Sequence, residues 1–406
     1  MWEQIRSNRI RSAILVAGMG ALLFLLGYFL GLYFFDSSIA GIIIALVVWG
    51  LMLLVAYFQG DSILLSVAGA RKITRDDHPR LYNIVEEMKI ASGLENMPVI
   101  YIIDDPALNA FATGRSPDKA SVAITSGLLQ KLNRDELQGV IGHEIAHIRN
   151  RDVLLMSLAG VILGTVVILA WYATRILFFG GMAGGRRSSR SGGGQGQIIV
   201  LAIGIILMIL APIAAQLLYF AISRKREYLA DASSALYTRY PEGLASALDK
   251  IAASTIQLKS ANKATAPMYT VNPFREEGRA ASDLTSTHPP ISERIRILRA
   301  MAGASVADYD SAYQQVKGRA GIIPVSALTG SRGLALRAAS AETEPVEKST
   351  EKIKRTRDTS ELMWRLGNYR TLVCECGTKL RLPPTYRSPD VRCPHCGRIT
   401  ELKSPV

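Results

Sequence analysis

Four long stretches without a charged residue constrain this sequence more than any other feature. Each is about 20 residues or longer, which is the length that a helix needs to cross the hydrocarbon core of a bilayer. Charged residues make up only 20% of the chain, against about 25% in an ordinary soluble domain. The sequence therefore predicts a multi-pass α-helical membrane protein and excludes an intrinsically disordered chain. The stretches are residues 12–35, 37–60, 153–174 and 198–223.

The first two stretches are predicted to form a transmembrane hairpin over residues 1–60, because only Asp36 separates them. The first stretch is too long for the apolar region of a signal peptide and has no small-residue cleavage site, so we expect a retained anchor. By the positive-inside bias, both outer ends of the hairpin lie in the cytoplasm. The basic residues that support this orientation are Arg6, Arg9, Arg11, Arg71 and Lys72.

The second pair of stretches, within residues 153–223, is predicted to form a second hydrophobic hairpin. Its connecting loop carries Arg186, Arg187 and Arg190, which would lie outside the cell if both stretches span, against the usual bias. Two helices that are buried in protein without spanning are therefore the alternative.

The polar remainder divides into three parts. Residues 61–305, interrupted by the second hairpin, are predicted to form an α+β domain with strands at Val99–Ile103 and 120–125. Residues 306–365 are predicted to be a flexible linker, because residues 318–360 are low in aromatic residues and rich in small and charged ones. Residues 366–406 contain all four cysteines and are predicted to form a compact module.

The most informative motif is GHEIAH, which contains His143, Glu144 and His147. Upstream, Asn133 and Glu136 have the spacing of a capping box and predict the start of a helix. On that helix the two histidines lie one turn apart on one face, where they can share a zinc ion. The glutamate beside them can take a proton from the water that the metal activates.

A catalytic zinc needs a third protein ligand, and Glu227 and Asp231 are the candidates. They also lie one turn apart, so one can bind the metal while the other accepts the ring N–H of a ligating histidine. The alternative is a solvated charged face next to the membrane, with Arg224, Lys225 and Arg226 as an interfacial anchor.

Over roughly residues 1–300 the sequence resembles the HtpX-type membrane zinc metalloproteases, which are relatives of the CAAX prenyl proteases. The order of four motifs, with an apolar hairpin between the second and the third, makes the match specific. The motifs are NAFATG at 109–114, GHEIAHIRNRD at 142–152, SRKREYLAD at 223–231 and THPP at 287–290.

The resemblance implies a gluzincin-like α+β metallopeptidase domain in an α-helical membrane protein. It implies that His143, His147 and Glu227 hold one zinc ion and that Glu144 is the general base. It further implies that Asp231 supports a ligand histidine.

The resemblance also assigns roles to two further segments. It implies that His288 and Arg294 stabilise the oxyanion or the ligand Glu227; for His288 the alternative is a helix-capping or packing role before Pro289. It implies that one edge segment pairs with the substrate backbone by strand addition. That segment consists of Asn109, Ala110, Phe111 and Ala112.

The carboxy-terminal module is predicted to be a zinc ribbon with one structural zinc, because two close cysteine pairs are each followed by glycine. The pairs are Cys374 with Cys376 and Cys393 with Cys396. The first pair has one intervening residue instead of two, and His395 is an alternative ligand. Redox-active dithiols are the competing interpretation. We expect the ribbon to be a regulatory or substrate-recruiting module.

The sequence thus predicts a membrane-bound zinc endopeptidase of the plasma (inner) membrane with its catalytic domain facing the cytoplasm. Its expected partners are the lipid bilayer and protein substrates, above all membrane proteins, in proteolytic quality control; the sequence does not specify an oligomeric state. Nucleic acid is not expected, because no set of stacking aromatic residues accompanies the basic ones. The alternatives are a membrane-tethered adaptor that uses the ribbon, and a prenyl-protein protease, which would require many more membrane helices.

Overall fold

The computed structural model describes residues 2–153, 205, 224–259, 289–319, 321, 323, 334–340 and 349–402. The first two helices, α1 (Trp2–Phe35) and α2 (Ser38–Val67), contain the first two apolar stretches. A Cβ atom on Gly31 would lie 2.6 Å from the Cα of Gly41, so the two helices approach each other as closely as their backbones allow.

Among the described residues, α2 is the one helix that is both long and apolar enough to cross a bilayer. Within α1, Val16–Leu32 forms a shorter apolar stretch. Apart from Val153 and Ile205, the third and fourth apolar stretches lie outside the described residues, so the predicted second hairpin is not described.

A four-stranded sheet forms the β part of the polar domain. It comprises β1 (Ala70–Lys72), β2 (Val99–Ile103), β3 (Ala110–Gly114) and β4 (Ala120–Thr125), in the spatial order β1-β2-β4-β3. β2 and β4 pair in parallel, and the outer strands pair antiparallel to them. The predictions of β2 and β4 are confirmed at their stated bounds. The outer strands are not predicted from the sequence, because they are short or rich in alanine and glycine.

Helices pack on this sheet and enclose the main apolar core. They are α3 (Pro79–Ser92), α4 (Ser126–Lys131), α5 (Arg134–Arg149), α6 (residues 224–238), α7 (Pro241–Ala252) and α8 (Ile291–Arg299). The predicted capping box at the start of α5 is present, with Asn133 and Glu136 bonding each other's backbone N–H. α5 is buried along almost its whole length, because α3 and α7 pack closely against it.

The segment predicted to be a flexible linker, residues 306–365, contains two helices. These are α9 (Val306–Lys317) and most of α10 (Ser349–Leu366). α9 buries a face that includes Tyr309 and Ala312, and α10 buries Leu362 together with Arg355 and Thr359. The linker prediction is corrected for these two helices, since overall composition concealed their amphipathic pattern.

Between these two helices, residues 334–340 run along the polar α+β domain. Arg337 donates to the carboxylate of the buried Asp135 at 2.7 Å, and the backbone N–H of Ser340 donates to its other oxygen at 2.8 Å. The backbone N–H of Arg337 also donates to the carbonyl of Arg239 at the end of α6. This part of the predicted linker therefore fastens the first turn of α5 to α6.

The carboxy-terminal module consists of two small antiparallel hairpins. They are formed by β5 (Arg370–Val373) with β6 (Lys379–Leu382) and by β7 (Asp390–Arg392) with β8 (Ile399–Glu401). Gly377 and Gly397 adopt positive φ angles of 85° and 76° after the two cysteine pairs, which lets the chain turn back there. The arrangement of strands is that of a small β module, as expected for a ribbon.

Candidate metal centre

The two histidines of α5 point their Nε2 atoms at one another across one helical turn. The two Nε2 atoms are 3.2 Å apart, and both imidazoles are buried. Gly142 permits the close packing of α6 at this point, because a Cβ there would lie 3.0 Å from the Oγ of Ser234. The helix thus presents both rings to the segment that carries the third candidate ligand.

Glu227 on α6 completes the cluster. Its two carboxylate oxygens lie 3.6 Å from the Nε2 of His143 and 3.4 Å from the Nε2 of His147. The three candidate donor atoms all lie within 4.8 Å of one another, and Glu227 is buried. More than 75 residues separate this glutamate from the histidines in sequence, and the fold brings the three side chains to one point.

Each histidine has a carboxylate behind it. The Nδ1 of His143 lies 2.9 Å from Asp231, and the Nδ1 of His147 lies 3.1 Å from Asp152. A carboxylate at Nδ1 holds the proton there and leaves the lone pair on Nε2, which is the form of imidazole that binds a metal. Asp152 is a functional residue that was not predicted from the sequence. The signal for it in the sequence is its position, five residues after the second histidine of the motif.

Arg294 on α8 holds the carboxylates in place. It is fully buried and donates to both oxygens of Asp231, at 2.8 Å from Nε and 2.6 Å from Nη2. Its Nη1 lies 3.5 Å from Glu227. Of the two predicted roles for Arg294, the geometry therefore favours support of Glu227 and Asp231 over contact with an oxyanion.

The surrounding charges make this pocket attractive to a cation. Burial opposes a positive charge on His143, but the hydrogen bonds to Asp231 and Glu227 outweigh it and raise the pKa of the ring. For His147, burial is likewise outweighed, here by Asp152 and Glu227, and the pKa is raised to about 10. A proton or a metal ion on the Nε2 atoms is therefore favoured by the same carboxylates.

The residues present fit a zinc ion on the chemistry and spacing of their donors. Two neutral imidazoles and one carboxylate are a ligand set that catalytic zinc uses, with one position left for water. Ligands at about 2.0–2.1 Å from a tetrahedral ion lie about 3.3–3.4 Å apart, close to the distances found among the three donors. Three buried carboxylates, Glu227, Asp231 and Asp152, lie against the two imidazoles, and their negative charge would stabilise a divalent cation there.

Comparison with known proteins agrees with this site. The family model for Peptidase family M48 matches residues 76–302. A protein named Protease HtpX homolog from Dictyoglomus turgidum is 46% identical over 300 residues, which cover 74% of this chain and 94% of the relative. One of the same name from Ligilactobacillus salivarius is 41% identical over 301 residues, covering 74% of this chain and all of the relative.

This chain belongs to peptidase family M48. The predicted resemblance to HtpX-type proteases is confirmed, and the chain is a zinc-dependent metalloprotease. These relatives are named proteases, which supports the peptidase prediction and not the adaptor alternative. The crystal structure of S. mikatae Ste24p aligns with 73% of this chain and 67% of its own at 21% identity and a TM-score of 0.40, a likeness too weak to carry an argument.

The structure describes Glu144 and the segment 109–112 among the other predicted site residues of this M48 chain. Glu144 is buried on α5 next to His143. The segment Asn109–Ala112 includes the start of β3, at one edge of the sheet among the described strands, and its residues are buried. His288 lies outside the described residues, so its role remains a prediction.

The four cysteines lie beyond the region that the M48 family model matches. Their sulfur atoms converge, with 3.5 Å between Cys374 and Cys396 and 3.7 Å between Cys376 and Cys393. Hydrogen bonds with Thr378 lower the pKa of Cys376 to about 5, which favours its thiolate. For Cys396, a backbone hydrogen bond with Arg398 lowers the pKa, but the neighbouring sulfurs of Cys376 and Cys374 outweigh it and raise the pKa. Among the described residues His395 is not part of this cluster.

Proposed function

We propose that this M48 protease is an integral membrane endopeptidase that cuts membrane-protein chains at the cytoplasmic surface in proteolytic quality control. The convergence of His143, His147 and Glu227, with a carboxylate behind each histidine, carries the proposal. These three residues would hold the catalytic zinc ion. When bound, zinc supplies Lewis acidity that activates water and polarises the scissile carbonyl.

The chain's own residues supply the proton transfer and the orientation. Glu144 takes a proton from the attacking water and delivers it to the nitrogen of the leaving amine, so one water is consumed and one peptide bond is broken. Asp231 and Asp152 fix the orientation of the two imidazoles. Arg294 keeps Asp231 ionised and aligned in a buried site, since it pairs with both carboxylate oxygens.

Support for a membrane location comes from the amino-terminal hairpin. α2 is long and apolar enough to span, and many of its large apolar side chains, such as Ile43, Leu46 and Leu51, are exposed. The last turn of α2 packs directly on the sheet: Leu64 and Leu65 contact a cluster that includes Phe111. The catalytic domain is therefore attached closely to the helix end that Arg71 and Lys72 follow, which suits cytoplasmic orientation and substrates in the membrane.

The ligand positions also limit the topology of the intervening chain. Asp152 and Glu227 meet at one centre, so the chain between them starts and ends on one side of the membrane. Any crossings between them must be even in number. Two spans and two non-spanning helices both satisfy this condition.

The cysteine cluster is proposed to hold a structural zinc ion. Four thiolates leave no open position for chemistry, and sulfur ligands of a tetrahedral zinc lie about 3.7–3.8 Å apart at Zn–S distances of about 2.3 Å. The two measured sulfur distances, 3.5 and 3.7 Å, are close to this spacing. For the substrate, the proposed contact remains the Asn109–Ala112 segment, because it lies at the end of the sheet and next to α5.

The decisive experiment compares wild type with Glu144→Gln, purified in detergent and supplied with zinc. We expect two zinc ions per chain in both proteins and cleavage of an unfolded test protein and of a membrane-protein substrate by wild type alone. His147→Ala should lose one zinc, and the double variant Cys393→Ser/Cys396→Ser should lose the other. Equal cleavage by Glu144→Gln would refute the assignment of the general base. Indistinguishable rates on soluble and membrane substrates would refute the proposed substrate class.

A further inference from the structure

α9 packs directly behind the metal centre, although it begins after the last residue that the M48 family model matches. That model ends at residue 302, and α9 starts at Val306. A capping box between Ser305 and Asp308 defines its start, and Gly318 ends it with a φ angle of 61°. The helix is therefore a defined element with its own start and stop signals.

Three contacts fix the orientation of α9 against the helices that carry the site. The ring of Tyr313 packs edge-on against Tyr228, the neighbour of Glu227, with 5.2 Å between ring centroids. Lys317 pairs with Glu293, the neighbour of Arg294, at 2.6 Å. The third contact reaches the site itself, because the hydroxyl of Tyr309 donates to Oδ2 of Asp231 at 3.5 Å.

The Tyr309 contact completes the set of donors around Asp231. Oδ1 accepts from the Nδ1 of His143 at 2.9 Å and from Nη2 of Arg294 at 2.6 Å. Oδ2 accepts from Nε of Arg294 at 2.8 Å and from the Tyr309 hydroxyl. A carboxylate has about four lone-pair positions, and Tyr309 supplies the fourth and longest of the contacts to Asp231.

Tyr309 is suited to act as a permanent donor. Its side chain is fully buried, and burial together with the nearby Asp231 carboxylate raises the pKa of its hydroxyl well above the ordinary value. The hydroxyl therefore stays protonated at neutral pH, and the side chain is enclosed by protein. Its hydroxyl links α9 to Asp231 and, through it, to His143.

We propose that α9 is a built-in support of the metal centre and that Tyr309 is a positioning residue, acting through Asp231 on the His143 ligand. The region after residue 302 then supports the metal ligands through Asp231, in addition to connecting the catalytic domain to the cysteine module. This inference rests on the proposed zinc site. A loose Asp231 would let the His143 ring rotate away from the direction in which it binds zinc.

The test compares Tyr309→Phe with Tyr313→Phe in the full chain, purified in detergent. Both substitutions remove one hydroxyl from the same helix and keep the ring, but Tyr313 packs on Tyr228 instead of donating to Asp231. Zinc release to a chromogenic chelator is followed over time. The release phase that is absent from His147→Ala is assigned to the catalytic site and is compared between the variants. The kcat and KM for an unfolded test protein are measured in parallel, at a temperature well below both unfolding transitions.

We expect Tyr309→Phe to release zinc from this site about three- to tenfold faster, below the roughly 10–100-fold effect of losing a direct partner of a ligand. Its kcat should fall by a similar factor with KM unchanged, and Tyr313→Phe should match wild type in both measurements. Release and kcat equal to wild type in Tyr309→Phe, or equal changes in both variants, would overturn the positioning role. If the proposed zinc site were wrong, wild type and His147→Ala would release zinc in the same phases, a result distinct from either outcome for Tyr309.

Discussion

The carboxylate of Asp152 lies 3.1 Å from the Nδ1 of His147, although the residue follows the end of the helix that carries the histidine. Asp152 is fully buried, and Arg151 before it has a φ angle of 59°, so the chain turns back sharply to bring this side chain to the ring. Asp231 provides the same contact to His143 from another helix. The two histidines are thus oriented by one local and one distant carboxylate.

Replacing Asp152 with asparagine should weaken zinc binding, because a neutral amide oxygen accepts from the Nδ1–H of His147 less strongly than a carboxylate does. We expect a loss of affinity of about 10- to 100-fold, the range for such partners of metal ligands. Zinc affinity is measured by competition with a chelator. Asp104→Asn is the matched control, since Asp104 is exposed, and it should bind zinc like wild type. Equal affinity in Asp152→Asn and the control would rule out an orienting role for Asp152.

Replacing Arg294 with lysine should destabilise the protein strongly, because lysine cannot bond both oxygens of Asp231 in the same plane. Leaving a buried carboxylate imperfectly paired costs about 3–5 kcal/mol. Arg299→Lys is a control on the same helix. Arg299 pairs with Glu242 and Asp249 at the surface, where such pairs contribute about 0–1 kcal/mol. Denaturant unfolding in detergent compares the two variants, and similar losses in both would contradict this account.

The protein should become less stable as the pH falls, because protonation of His78 opposes folding. This buried residue caps α3 by accepting the backbone N–H of Leu81 on Nδ1 at 3.1 Å, which requires the neutral ring. Burial, and then Arg80, lower its pKa below the ordinary value of 6.5. The unfolded chain therefore binds more protons, so the contribution is complete above about pH 6.5 and is lost as the pH falls below it.

His78→Asn tests this pH dependence, because asparagine caps helices well but does not titrate. The melting temperature of zinc-saturated wild type should drop more between pH 7.5 and pH 5.5 than that of the variant. Other titrating groups contribute equally to both proteins and cancel in the comparison. Parallel pH profiles would exclude His78 as a source of the dependence.

Replacing Gly139 with alanine should destabilise α5, even though alanine is the better helix former by about 1 kcal/mol. The new Cβ would lie 2.6 Å from the backbone nitrogen of Leu244, so α7 would have to shift. Overpacking of this kind costs about 1–3 kcal/mol. In Gly50→Ala the new Cβ meets no atom within 4 Å, and stability should be unchanged or higher. A Gly139→Ala protein as stable as wild type would show that α7 can move at little cost.

Much of the catalytic helix could be predicted from local sequence. The capping pair Asn133 and Glu136 and the spacing of the two histidines depend on contacts within three or four residues, and the structure contains the helix at that place. The β-branched run Val99–Ile103 likewise forms a strand. The short outer strands and α9 were missed, because their apolar residues are few and only packing against the domain makes them stable.

The sequence by itself determined which residues could take part in the site: two histidines one turn apart, two carboxylates one turn apart, and four cysteines in two pairs. Only the tertiary structure decided their arrangement. Helical spacing puts Glu227 and Asp231 on the same face, but it is the crossing of α6 over α5 that brings Glu227 to the Nε2 atoms and Asp231 to Nδ1 of His143. Spacing along one helix cannot encode which of the two carboxylates reaches Nε2 and which reaches Nδ1. That depends on the relative position of two helices, and the burial of apolar residues distant in sequence sets how these helices pack.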